Sequence, residues 1–203
     1  MIRGAAATVA VLLLAAGSAG AAESWRAVAD PGAGYSISVP MAWQVVPRST
    51  PELNALIARL RKEKRAQLAN QYAQIAATRR VTSTVYRFQA FAWPAPKGPV
   101  VPDVTVKTDP LTAGTTQAAL PFIARQVAEA LAASATATAA APVRRTLPAG
   151  PAFLVTGTTR VTKVLRSRYA VYLLIHGRRL YSISFRGPKT AVEGQIIRSV
   201  RFG

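Results

Sequence analysis

Cysteine is absent from this 203-residue chain. No disulfide can staple the fold, no thiolate can hold a metal, and no cysteine can carry a lipid anchor. Histidine occurs once, as His176, and carboxylates only eight times. A catalytic dyad needs a partner within hydrogen-bond reach, yet beyond the basic segment near residue 62 the only acids are Asp103, Asp109, Glu129 and Glu193. His176 stands in "IHGRR", a hairpin-tip sequence where solvated residues are common. Gly-x-Ser-x-Gly elbows, His-Glu-x-x-His helices and phosphate loops are missing, as is any fixed-period repeat. "GPAFLVTG" has glycines without dinucleotide-binding spacing. The expectation is a non-enzymatic protein with no catalytic residues, no cofactor and no metal.

The first residues carry an export signature. Arg3 precedes an apolar run over residues 5–16, centred on Leu12, Leu13 and Leu14, and "GSAGAAES" follows with the small residues that signal peptidase requires. The run is shorter than the ~20 apolar residues of a membrane span. A signal peptide over residues 1–22 is expected, with one domain over residues 23–203 that is periplasmic or secreted and has no transmembrane segment. About 180 residues, half the chain being hydrophobic, are enough to bury a core.

Charge is the dominant compositional feature. Twenty-six Lys and Arg face eight acids, a net +18. Such a surface attracts anions over about a Debye length, ~8 Å at physiological salt. Phospholipid headgroups and acidic glycans are the relevant classes; nucleic acid is disfavoured by export and by the lack of an aromatic-interleaved RNA motif.

Local patterns mix strands and helices. "DPGAGY" is turn chemistry, after which Tyr35, Ile37 and Val39 alternate with Ser36 and Ser38 as in a half-buried strand. Pro40 ends regular pairing, and Trp43, Val45 and Val46 resume an extended segment in which Trp43 is expected to anchor the core. Residues 51–78 predict one helix. Ser49 and Glu52 have capping-box spacing, and Leu53, Leu56, Ile57, Leu60, Leu68, Tyr72 and Ile75 form its stripe around a basic middle of Arg59, Arg61, Lys62, Lys64 and Arg65. The expected use is a stripe packed on a sheet with solvated charges; the alternative is a membrane-surface helix.

"VTSTVYRFQAFAW" predicts a long strand over residues 81–93, closed by the proline-rich "PAPKGPVVP", and Val104 and Val106 a short one. Leu120, Ile123, Val127 and Leu131 predict a helix over residues 117–133, with "SATATAAAP" as its frayed end or a loop. A meander follows: a turn over residues 148–151, a strand from Ala152, and two strands joined at "HGRR". Residues 169–175 are apolar at every position, so that strand should be covered on both faces. Pro188 opens a short helix through Ile197, ending at "SVRF". The fold class is α+β, a mainly antiparallel β-sheet with helices packed on it.

Four stretches, "YSISVPMAW", "LPAGPAFLVTG", "YAVYLLIHGRRLYSISF" and "IIRSVRF", occur in an order that resembles the PsbP-like fold family. The resemblance spans nearly all of residues 23–203 and implies an α/β/α sandwich. Members of that family are adaptors or assembly factors more than enzymes, so it implies an exported interaction or assembly protein of the cell envelope with an unidentified protein partner. The helix over residues 51–78 is longer and more basic than the family pattern.

The competing reading rests on charge. After Ala141 twelve cations face the single acid Glu193. A hairpin with the tip "RVTKVLRSR" would gather Arg160, Lys163, Arg166 and Arg168 into an anion-binding site for membrane lipid or acidic glycan, with the basic helix as the rival surface. "HGRR" lies at the other end of the same strand and should form a separate patch. Dispersed solubilising charge is the alternative to any such site.

Overall fold

A computed structural model describes residues 24–81, 86–93, 100–187 and 190–203. Eleven strands and four α-helices follow in the order β1 (Trp25–Asp30), β2 (Tyr35–Pro40), β3 (Gln44–Val45), α1 (Thr50–Lys62), α2 (Ala66–Val81), β4 (Tyr86–Phe91) and β5 (Asp103–Pro110). After one 3-10 turn (Gln117–Ala119) come α3 (Leu120–Ala132), β6 (Ala137–Ala139), β7 (Val143–Leu147), β8 (Gly150–Arg160), β9 (Arg166–His176), β10 (Arg179–Arg186), α4 (Thr190–Arg198) and β11 (Arg201–Phe202). Among the described residues strands pair only antiparallel, so the α+β class stands. The large sheet runs β3-β4-β5-β10-β9-β8-β6 with β7 also on β8; a small sheet runs β1-β2-β11. The expected signal segment lies outside the described residues, and no helix within them is long and apolar enough to cross a membrane.

The period of two in the sequence decides which face of the large sheet is closed. Phe88 and Ala90, Val104 and Val106, Tyr181, Ile183 and Phe185 point to one side with Ala170, Tyr172 and Leu174 of β9. There they meet Tyr35, Ile37 and Val39 of the small sheet and Ile196 and Ile197 of α4, in one continuous core. Pro40 ends β2, and the Trp43 N–H donates to the Pro40 carbonyl at 2.9 Å, a tight turn that drops the Trp43 ring into that core. The interrupted apolar run therefore caps one end of the closed face.

The opposite face is covered in two separate places. Leu120, Ala124 and Ala128 of α3 pack on Val155, Tyr169, Val171, Leu173 and Ile175. Leu53, Leu56, Ile57 and Leu60 of α1 join Leu68, Tyr72 and Ile75 of α2 around Phe91 and Val46. β9 is thus buried on both faces, as its apolar sequence requires.

Several local expectations are corrected. The helix over residues 51–78 is two helices folded back on each other. Arg65 N–H donates to the Leu60 carbonyl at 2.8 Å and Lys64 N–H to the Arg61 carbonyl at 3.0 Å, a Schellman-type stop with Lys64 at φ 58°. One straight helix would run ~40 Å, past the ~27 Å of an eight-residue strand beneath it; folding back buries both halves of the stripe. Ser49 caps α1 by donating to Glu52 at 2.7 Å rather than accepting a backbone N–H. The strand expected over residues 81–93 is shorter, since Val81 ends α2 and β4 begins at Tyr86. "SATATAAAP" contains β6, because an edge strand on β8 satisfies backbone groups that a frayed end would leave to water. β1 and β11, which carry no strong alternation, are strands because β2 lies between them to pair with both.

Candidate basic cleft

Between the two helical layers the large sheet is uncovered, and its open face is polar. Gln89 of β4, Asp103, Thr105 and Lys107 of β5, and Ser184 and Arg186 of β10 floor a cavity of about 570 Å³, walled by Gln71 and Ile75 of α2 and Leu131 of α3. Ser184, which alternates with Ile183 and Phe185, belongs to this floor. A second cavity of about 490 Å³ adjoins it, sharing Gln71, Thr159 and Arg186.

That second cavity is where charge collects. The α1–α2 turn contributes Lys64 and Arg65, the end of β8 contributes Arg160, and β10 contributes Arg186; no carboxylate occurs among its described lining residues. The end of the basic middle of the expected long helix, Lys64 and Arg65, and the base of the β8–β9 tip, Arg160, rivals in the sequence, therefore bound one cleft. Lys64 holds a left-handed backbone conformation there that a non-glycine residue adopts at a cost of ~1 kcal/mol.

At the junction of the two cavities Arg186 and Asp103 face each other across β10 and β5 and form an ion pair, and Arg186 Nη2 also donates to Gln71 Oε1 at 3.0 Å. Burial pushes the Asp103 carboxyl above its usual value, and the charge and hydrogen bond of Arg186 oppose that rise. Asp103 is thereby committed to holding Arg186 in place. Deeper in, Gln89 Oε1 and the Tyr72 hydroxyl are buried without a hydrogen-bond partner. Burial, then the nearby Asp103 charge, pushes the Tyr72 hydroxyl well up.

The four expected anion-binding residues are not equivalent. Arg160, Lys163 and Arg166 are exposed around the tip, Arg166 Nη1 lying 3.3 Å from Thr158 Oγ1. Arg168 instead turns under α4, where both its terminal nitrogens engage Glu193, a carboxylate only 2% exposed that also accepts from the Tyr172 hydroxyl at 3.0 Å. The hydrogen bond it donates to Glu193 raises the Arg168 guanidinium further, so it stays charged and paired. Its role is to tie β9, an interior strand of the sheet, to α4.

The "HGRR" turn sits at the far end of β9, where Arg178 and Arg179 line a separate cavity with Arg87. His176 lies flat on Phe202 of β11, ring centres 4.3 Å apart. Among the described residues no group of three or more His, Cys, Asp and Glu is placed to hold a metal. Sequence reading missed the floor residues and Lys64–Arg65 as one site with the tip; the alternation in β5 and β10 was the available signal, but it does not say what covers the polar side.

No family model matches the chain, and no curated protein matches it. Several solved structures are similar to it. The solution structure of cyanobacterial PsbP (CyanoP) from Synechocystis sp. PCC 6803 superposes with a TM-score of 0.58 at 7% identity, over 94% of this chain and 99% of that one. LpqN of Mycobacterium tuberculosis, described as involved in cell envelope biogenesis, gives 0.50 at 12% identity, over 88% and 90%. At these identities the likeness concerns architecture, and on that ground the chain has a PsbP-like fold.

Proposed function

We propose that the chain is an exported, non-enzymatic binding protein that takes part in assembly of the cell envelope by engaging an anionic partner through the basic cleft. The observation that carries this is the convergence of Lys64, Arg65, Arg160 and Arg186 on one concave surface. Concentrating cations against a low-dielectric wall raises the local attraction for an anion beyond that of scattered surface charge. Asp103 is engaged by Arg186, which suits a binding floor better than a general base. The envelope role described for LpqN supports the setting.

A packed protein interface is the second reading, favoured by Phe122, which is 61% exposed on α3. Salt separates the two. Replacing Lys64, Arg65 and Arg160 with Gln should weaken retention on envelope fragments about 100-fold at low salt, taking ~1 kcal/mol per basic residue. Wild-type retention should also collapse as salt rises. Salt-resistant retention that the triple variant keeps, but Phe122→Ser loses, would replace the cleft with the α3 surface.

A further inference from the structure

The β8–β9 tip carries more than charge. Val164 is 96% exposed, the most exposed of the large hydrophobic side chains among the described residues, and Leu165 beside it is 36% exposed. An aliphatic pair at a loop apex gains nothing from water, and burying a valine or leucine is worth far more than leaving it outside. Around the pair stand Arg160, Lys163 and Arg166, all exposed. No carboxylate occurs anywhere between Glu129 and Glu193 to neutralise them. The turn is held in shape: the Val161 N–H donates to the Leu165 carbonyl at 2.8 Å, and the Leu165 N–H to Thr162 Oγ1 at 3.0 Å. The apolar apex is therefore presented on an ordered loop.

We infer that this tip is a membrane wedge: Val164 and Leu165 enter the headgroup–acyl boundary of an anionic bilayer while Arg160, Lys163 and Arg166 lie on its phosphates. The inference rests on the anionic-partner reading above and names the partner as a lipid surface. A convex tip with two bare aliphatic groups offers a sugar chain little to hydrogen-bond, whereas an interface that is apolar inside and anionic outside matches both parts. The tip leads at one end of β9, with Lys64 and Arg65 of the cleft beside it, so docking would bring the whole basic end onto the membrane.

The absence of cysteine makes the test direct, because Val164→Cys creates a single labelling site. An environment-sensitive fluorophore there should shift to the blue on vesicles of phosphatidylcholine mixed with phosphatidylglycerol, and should be quenched by quenchers carried on the lipid chains. The same label at Ala113→Cys, an exposed position near the opposite end of the sheet, should do neither. Val164→Ser with Leu165→Ser should weaken vesicle binding about tenfold, with an unchanged circular dichroism spectrum. If vesicles bind but the label at 164 stays in water, or the double serine variant binds equally well, the wedge is wrong while the basic cleft stands. Binding to a soluble anionic polysaccharide but not to vesicles also overturns the wedge and retains the cleft. If neither probe binds, both readings fall.

Discussion

The two faces of the large sheet are built from the same strands and come to opposite ends. On β10, Tyr181, Ile183 and Phe185 disappear under the small sheet and α4, while Ser184 and Arg186 one residue away floor a polar cavity. On β5, Val104 and Val106 are buried on the first face, while Asp103 and Lys107 line the second. The closed face has one continuous apolar core. The other has two apolar clusters, under α3 and under the α1–α2 pair, with the cleft between them. Apolar packing is continuous on one side of the sheet and divided on the other, and the gap between the two clusters is where charge and cavities sit.

The largest expected effect comes from neighbouring residues on β10. Phe185→Ala should cost ~3–5 kcal/mol because it empties a packed site on the closed face. Ser184→Ala on the cleft floor should stay within ~0.5 kcal/mol. Denaturant melts of the two variants check this, and comparable losses would erase the distinction between the faces.

A smaller but sizeable effect is expected at Gly157, where β6 meets β8. The Tyr169 hydroxyl crosses this glycine to donate to the Thr138 carbonyl at 2.7 Å. A Cβ at 157 would lie 1.8 Å from that carbonyl and 2.6 Å from the hydroxyl. Gly157→Ala should therefore cost ~1–3 kcal/mol by forcing β6 off the sheet. Hydrogen exchange should show the loss centred on residues 137–139, and uniform loosening would contradict the assignment.

The mildest perturbation is alkaline. Burial, then the Glu193 charge, pushes the Tyr172 hydroxyl from 10.0 up to about 12, and burial also raises Tyr35 on the closed side and Tyr72 beside the cleft. An acid whose value is raised on folding binds its proton more tightly in the native state. Its contribution is complete below the ordinary tyrosine range and falls as pH rises through the shifted values. Tyrosinate absorbance for this group should appear together with loss of structure. A folded protein whose tyrosines all ionised near 10 would break the burial argument on both faces.

Much of this architecture was legible because alternation and stripes are local signals. Tyr35, Ile37 and Val39 announce a strand, and the unbroken apolar run of β9 requires cover on both sides. The helical break at Lys64 was not legible, since no glycine or proline marks it; packing of α1 on α2 is what sustains a left-handed lysine. β1 and β11 escaped for the same kind of reason, because each depends on β2 lying beside it. Arg168 reads in sequence as one more tip cation, and only the approach of α4 supplies Glu193 to take it away.

By itself the sequence determined the strand alternation, the apolar stripes, the net charge and the reactive groups absent from the chain, because each is a property of composition or of neighbours a few residues apart. The tertiary structure alone decided that two basic segments nearly a hundred residues apart share one cleft, and that the polar side of β5 and β10 floors the cavity adjoining it. Those outcomes depend on which elements fold back over which strands, and long-range packing is set by the whole core rather than by any local run.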